Sequence, residues 1–76
     1  MNNQRRKELD KALELLSQIR DIVENARDEE QEYYDNMPES FQQSDKGQNA
    51  EQAAANLDDA ANAIDELESY ISEAQL

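Results

Sequence analysis

The sequence predicts an all-α fold, an antiparallel hairpin of two long helices, and three observations predict it. Apolar residues recur at heptad spacing in two stretches, helix-forming residues fill the positions between them, and the single proline stands between the stretches. The first stripe is Leu9, Ala12, Leu16, Ile19, Val23, Ala26, Tyr33 and Met37. The second is Ala50, Ala53, Leu57, Ala60, Ile64, Leu67, Ile71 and Ala74. Two such stripes joined by a short turn fold back on each other as one domain, residues 1–76.

The first helix is predicted from about residue 3 to about residue 35. Arg, Lys, Glu, Leu and Gln dominate this stretch, and it contains neither Gly nor Pro. The residue before a proline avoids the helical region, so the helix must end before Met37-Pro38.

The turn is predicted at residues 36–44 and the second helix at about residues 45–74. Pro38 suits the first position of a short helical turn over residues 38–42. Ser44, followed by Asp45, supplies the N-cap of the second helix. Gly47 falls in its first turn, where we expect the backbone to need conformational freedom.

The two stripes match best when facing residues have numbers that sum to 83. Five of the eight layers then place an alanine against a larger apolar residue, as in Ala12 on Ile71. Glu30 takes a core position in this register, near the loop end, where we expect its carboxylate to reach water.

The flank of the stripes is also apolar. Leu15 and Ile22 lie beside the first stripe, and Ala63 and Tyr70 lie on the matching flank of the second. They widen the apolar face beyond what a two-helix seam covers. We therefore expect this strip to pack on a second copy, giving a homodimeric antiparallel four-helix bundle. The alternative is that it caps the seam of a single hairpin.

The charge is strongly negative and unevenly distributed. The net charge is −12, and residues 28–76 hold fourteen acids and one base, Lys46. This field repels nucleic acid and anionic membranes and attracts basic protein surfaces, unless it serves only solubility. The predicted partner-binding acidic face is Glu51, Asp58, Asp59, Asp65, Glu66 and Glu73. A dimer would approach the charge density of B-DNA, which leaves DNA mimicry open.

Aromatic residues and carboxylates concentrate at the turn. The predicted recognition tip is Glu32, Tyr34, Asp35, Glu39 and Phe41. Aromatic anchors ringed by acids suit a basic protein partner. The alternative is a hydrophobic cap that closes the end of the hairpin.

We expect neither catalysis nor a cofactor. The chain has no His and no Cys, which removes the usual zinc and haem ligands. The six acids of residues 28–39 lack the loop spacing of a calcium hand, so no metal site is predicted. No apolar run approaches the ~18 residues of a membrane span and no targeting segment is evident, so we expect a cytoplasmic protein.

Residues 29–44 read Glu-Glu-Gln-Glu-Tyr-Tyr-Asp-Asn-Met-Pro-Glu-Ser-Phe-Gln-Gln-Ser. With the Ala/Asp/Glu/Leu-rich helix that follows, this segment resembles small acidic proteins of phages and prophages that lack an assigned activity. The resemblance covers roughly residues 28–70. After Ser44 the chain departs from that pattern, because Ala and Asn stand where Glu is more usual. The resemblance implies a phage-encoded protein in the host cytoplasm that binds and blocks a host protein, defence nucleases included.

The sequence therefore predicts a non-enzymatic acidic inhibitor that binds a basic surface of a host protein, such as a defence or nucleic-acid-binding protein. It is not expected to bind nucleic acid or membrane itself. The alternative is a structural or assembly module that docks on a larger helical protein through its apolar strip.

Overall fold

The computed structural model describes all residues from Met1 to Leu76 and contains helices and no strand. The helices are α1 (Asn3–Asp35), α2 (Glu39–Gln42) and α3 (Asp45–Ala74). The two long helices, α1 and α3, pack along each other, and the molecule measures 58 × 15 × 13 Å. The predicted helical hairpin and the bounds of both long helices are confirmed.

Side-chain caps explain where the long helices begin. Asn2 Oδ1 accepts a hydrogen bond from the Arg5 backbone N–H at 2.8 Å. Ser44 Oγ accepts from the Gly47 N–H at 3.4 Å, so the predicted N-cap of α3 is confirmed. These bonds satisfy N–H groups that have no partner inside the helix.

The turn between the long helices is also held by hydrogen bonds. α1 ends at Asn36, whose N–H donates to the Glu32 carbonyl at 3.0 Å. Gln42 Nε2 donates to the Tyr34 carbonyl at 3.0 Å, which fastens α2 to the end of α1. Pro38 caps α2, so the predicted short helical turn is present and begins one residue later.

Gly47 is required for its size, so the expectation of backbone freedom is wrong. Its φ is not positive. A Cβ at this position would collide with the backbone carbonyl oxygens of Phe41 and Gln42. The glycine therefore lets α2 lie directly against the first turn of α3.

The seam between α1 and α3 is narrow. Only four apolar side chains are buried, Ala50, Ala54, Ala61 and Ile64, and all of them belong to α3. No residue of α1 is fully buried. Ile64 is thus the one large apolar side chain in the chain that is fully buried, and the other large apolar residues of the seam are only partly buried.

The two long helices are rotated relative to the predicted stripes. Leu9, Leu16 and Val23 are partly buried as expected, but Ile19 and Leu67 are 47% and 45% exposed. Arg20 and Glu68, one position further along each helix, are partly buried in their place. Four more residues next to the predicted stripes are also partly or fully buried, namely Leu13, Arg27, Ala54 and Ala61. The predicted layers that contain Ile19 and Leu67 are therefore wrong. The rotation brings the arginines to acids of α3 and lets the helices approach over alanines.

We predict that Gly47→Ala lowers the free energy of unfolding by about 1–3 kcal/mol, the usual cost of overpacking. The loss is expected although alanine favours helix by about 1 kcal/mol over glycine. Thermal and urea unfolding followed by circular dichroism would measure it. Asn49→Ala, at an exposed position two residues later, is the control and should be neutral or slightly stabilising. Equal stability of Gly47→Ala and wild type would contradict the packing of α2 on α3.

Candidate interaction surfaces

Two arginines of α1 reach across the seam to carboxylates of α3. Arg20 Nε lies 2.9 Å from Asp65 Oδ1, and its Nη2 contacts Glu68. Arg27 Nη1 lies 3.0 Å from Asp58 Oδ1, and its Nε also binds the neighbouring Asp28. The hydrogen bond to Glu68 raises the pKa of Arg20 above its ordinary value, against the opposing effect of desolvation. These pairs fix α1 and α3 antiparallel and in register.

The predicted acidic face divides into two rows, each with a seven-residue spacing. Asp58 and Asp65 are paired with the arginines, and Glu51, in the same row, raises the pKa of Tyr34. Asp59, Glu66 and Glu73 form the other row, which we call the outward acidic row. All three are exposed, and none lies within ion-pair distance of a base. Helical spacing directs this row away from α1.

Most of the negative charge has no internal counter-ion. Only five of the 19 acidic side chains form ion pairs, those of Glu8, Asp28, Asp58, Asp65 and Glu68. The pair of Lys11 with Glu8 lies within α1 and is exposed, so it contributes little. The remaining carboxylates are left to act on whatever approaches the surface.

At the tip, Tyr34 and Phe41 occupy different environments. Phe41 is 58% exposed, whereas Tyr34 is partly buried and turned towards α3. A hydrogen bond to the Glu51 carboxylate, together with burial and the nearby negative charges, raises the pKa of Tyr34. Tyr34 thus lies against α3, whereas Phe41 is exposed to solvent.

An exposed aromatic depression lies beside this tip. It has a volume of about 240 Å³ and is lined by Tyr33, Met37, Pro38, Phe41 and Lys46. Lys46 Nζ lies 5.8 Å from the centroid of the Tyr33 ring, within cation–π range. The predicted tip acids, Glu32, Asp35 and Glu39, are all exposed around it. The predicted recognition tip leaves out Tyr33, which is 44% exposed, because its heptad position also assigned it to the core stripe.

One side of the hairpin carries an apolar strip. We define it as Leu15, Ile19 and Ile22 of α1 with Ala63, Leu67 and Tyr70 of α3, and all six are exposed. Ile22 and Tyr70, the most exposed large members, keep 69% and 68% of their surface. The rotation of the helices adds Ile19 and Leu67 to the four predicted members. Contiguous apolar surface of this kind is typical of interaction sites.

The opposite side of the hairpin is polar. A depression of about 320 Å³ there is lined mainly by charged and amide side chains, including Arg27, Asp28, Gln31, Glu51 and Asp58. No three acidic side chains are grouped so as to hold a metal ion. The two sides of the hairpin therefore differ sharply in polarity.

None of the helices combines the length and apolar character needed to cross a membrane.

No protein-family model matches the chain, and neither does a curated protein or a solved structure.

We predict that Arg20→Ala lowers the melting temperature by a few degrees, because it removes the counter-ion that the exposed Asp65 and the partly buried Glu68 share across the seam. Lys11→Ala removes only an exposed pair within α1 and is the matched control, with little expected change. Circular dichroism melts at low and high salt would measure both. Melting curves that do not distinguish Arg20→Ala from Lys11→Ala would count against the arginine seam.

We predict a pH-dependent stability difference between wild type and Tyr34→Phe. Because folding raises the pKa of Tyr34 above its ordinary 10.0, the hydroxyl stabilises the fold fully below that pH. This advantage is lost as the pH rises through the folded-state pKa. Urea unfolding of both proteins between about pH 8 and about pH 11 would show the difference shrinking. Tyr70→Phe, at an exposed position, is the control, and a constant difference for Tyr34→Phe would refute the link to Glu51.

Proposed function

We propose that this chain is a non-enzymatic protein-binding module that acts as a homodimer and binds a basic surface of another protein. The observation that carries the proposal is the outward acidic row, whose three carboxylates have no internal counter-ion. The resemblance of residues 29–44 to small acidic phage proteins supports the more specific form. In that form the chain is a phage-encoded inhibitor of a host protein in the host cytoplasm.

The geometry of the row suits extended electrostatic contact. Successive acids are seven residues apart, hence about 10 Å along the axis of α3. The row thus spans about 20 Å along α3. Because its three acids are held on one rigid helix, little backbone entropy is lost when a partner binds them. Complementary charge of this kind mainly accelerates and orients association, while buried apolar contacts supply affinity. Phe41 and the aromatic depression at the tip would provide such contacts.

DNA mimicry is the less supported form of this proposal. A dimer would carry twice the net charge of −12 along at least the 58 Å length of one hairpin. That is about one charge per 2.4 Å, compared with one per ~1.7 Å in B-DNA. The chain is therefore more sparsely charged than the duplex it would imitate. A basic protein surface does not require the denser spacing.

We predict that reversing the outward acidic row, Asp59→Lys with Glu66→Lys and Glu73→Lys, abolishes partner binding without unfolding the protein. Asp58 and Asp65 are left intact because they hold α1. The matched control reverses Asp10, Glu14 and Asp21, which are also exposed and outside the ion pairs. Both variants change the net charge equally.

The measurement is affinity capture from a bacterial host lysate, with the captured proteins identified by mass spectrometry. The expected result is a basic protein that wild type and control retain, the row variant loses, and high salt weakens. A partner retained equally by both variants would contradict binding through the row.

A second candidate function, assembly on a larger helical protein, is favoured by the exposure of the apolar strip. It requires the strip and not the acids. Ile22→Lys should then abolish capture while the row variant leaves it intact. Under the first proposal, sedimentation equilibrium should show a homodimer that Ile22→Lys converts to a folded monomer.

A further inference from the structure

We infer that a second copy of this chain covers the apolar strip in one arrangement. The copies run antiparallel about a twofold axis that crosses α1 next to Ile19, so that α1 packs on α1 and α3 packs on α3. This inference rests on the homodimer proposed above. It adds the orientation of the two copies and the position of the twofold axis.

The single hairpin leaves enough apolar surface for such an interface. The exposed fractions of Leu15, Ile19, Ile22, Leu67 and Tyr70 correspond to roughly 600 Å² per copy, compared with ~800 Å² per partner in a standard interface. The surrounding alanines of both helices add to this area. The hairpin itself fully buries one large apolar side chain, Ile64, which is a small core for a 76-residue chain.

The strip is complementary to itself when it is inverted next to Ile19. On α1, an inversion centred between residues 18 and 19 places Leu15 opposite Ile22 and brings Ile19 within one residue of its own copy. On α3, the matching centre falls between Glu66 and Leu67, because Arg20 binds Asp65 across the antiparallel seam. The inversion there places Tyr70 opposite Ala63 and brings the two copies of Leu67 within one residue of each other. Large residues on small ones are what close packing of facing helices requires.

Charge favours the antiparallel arrangement over the parallel one. In the antiparallel dimer, the basic residues 5–7 of one copy lie near Glu29, Glu30 and Glu32 of the second copy. A parallel dimer would place the two acidic tips side by side, and each tip carries six acids within residues 28–39. Like charges in such proximity oppose association.

The antiparallel dimer also concentrates the acids on one edge. Because α3 lies beside α3, the two outward acidic rows face the same way and give six carboxylates, from Asp59, Glu66 and Glu73 of both copies. In a parallel dimer α1 would lie over α3, and the two rows would occupy opposite edges. The partner that fits this dimer is thus a single basic protein surface seated on the α3 edge.

Single-cysteine cross-linking tests the arrangement, and the chain has no native cysteine to interfere. Ile19→Cys places two thiols next to the twofold axis, so oxidised glutathione should convert this variant to a disulfide-linked dimer. Leu15→Cys alone should link about tenfold less, because the two copies of residue 15 lie too far apart. Mixed Leu15→Cys and Ile22→Cys proteins should link as a heterodimer.

Each alternative gives a different result. Linking of mixed Ile19→Cys and Leu67→Cys proteins, with no linking of Ile19→Cys alone, would overturn the inference in favour of the parallel dimer. A wild-type dimer in sedimentation equilibrium with no link at residue 19 overturns the arrangement and leaves the homodimer standing. A wild-type monomer at micromolar concentration overturns both.

Discussion

The arginine-bridged seam between α1 and α3 determines most of the structure. Arg20 and Arg27 occupy positions where an all-apolar hairpin would place leucine or isoleucine, and their carboxylate partners come from α3. Alanines between these pairs let the helices approach closely. A seam built this way favours one register and direction, because a shift of either helix would separate the paired charges, whose Asp partners stay more than half exposed. Its hydrophobic stabilisation is modest, since Ile64 is the one large apolar side chain that is fully buried and the others are partly buried.

The two sides of the hairpin differ in polarity because the seam does not bury all the large apolar residues of the two helices. Leucine and isoleucine residues that do not enter the seam collect on one side as the apolar strip, with Ile22 and Tyr70 most exposed. The other side is lined by charged and amide groups. Covering the strip would add apolar burial to a small chain whose seam buries little. A contact that covers the strip would therefore also stabilise the fold.

The helical hairpin and the bounds of its helices could be predicted from the sequence, but the rotation of each long helix about its own axis could not. Pro38 and Ser44 determine the ends locally, so α1 and α3 begin and end where expected. Apolar residues on α1, by contrast, occupy three neighbouring rows, represented by Leu9, Ile19 and Leu15, and only some of them fit into a two-helix seam. The heptad pattern considers hydrophobicity alone, so it cannot tell which of these rows enters the seam. The pairing of Arg20 with Asp65 favours the row of Leu9, and that contact joins residues 45 positions apart in the sequence. Gly47 was misread for a similar reason, since its constraint is a steric contact with α2.

The consecutive acids of α3 show how one helix serves both the fold and the surface. In Asp58-Asp59 and in Asp65-Glu66, the first member binds an arginine of α1 and the second belongs to the outward acidic row. Adjacent residues on a helix point about 100° apart, so each pair divides between the seam and the exterior. The arginines neutralise only the inward acids, and Lys46, the one base of α3, lies over Tyr33 at the tip. No positive charge of α3 therefore accompanies the outward row. The same ion pairs that hold the hairpin together leave that row free to act on a partner.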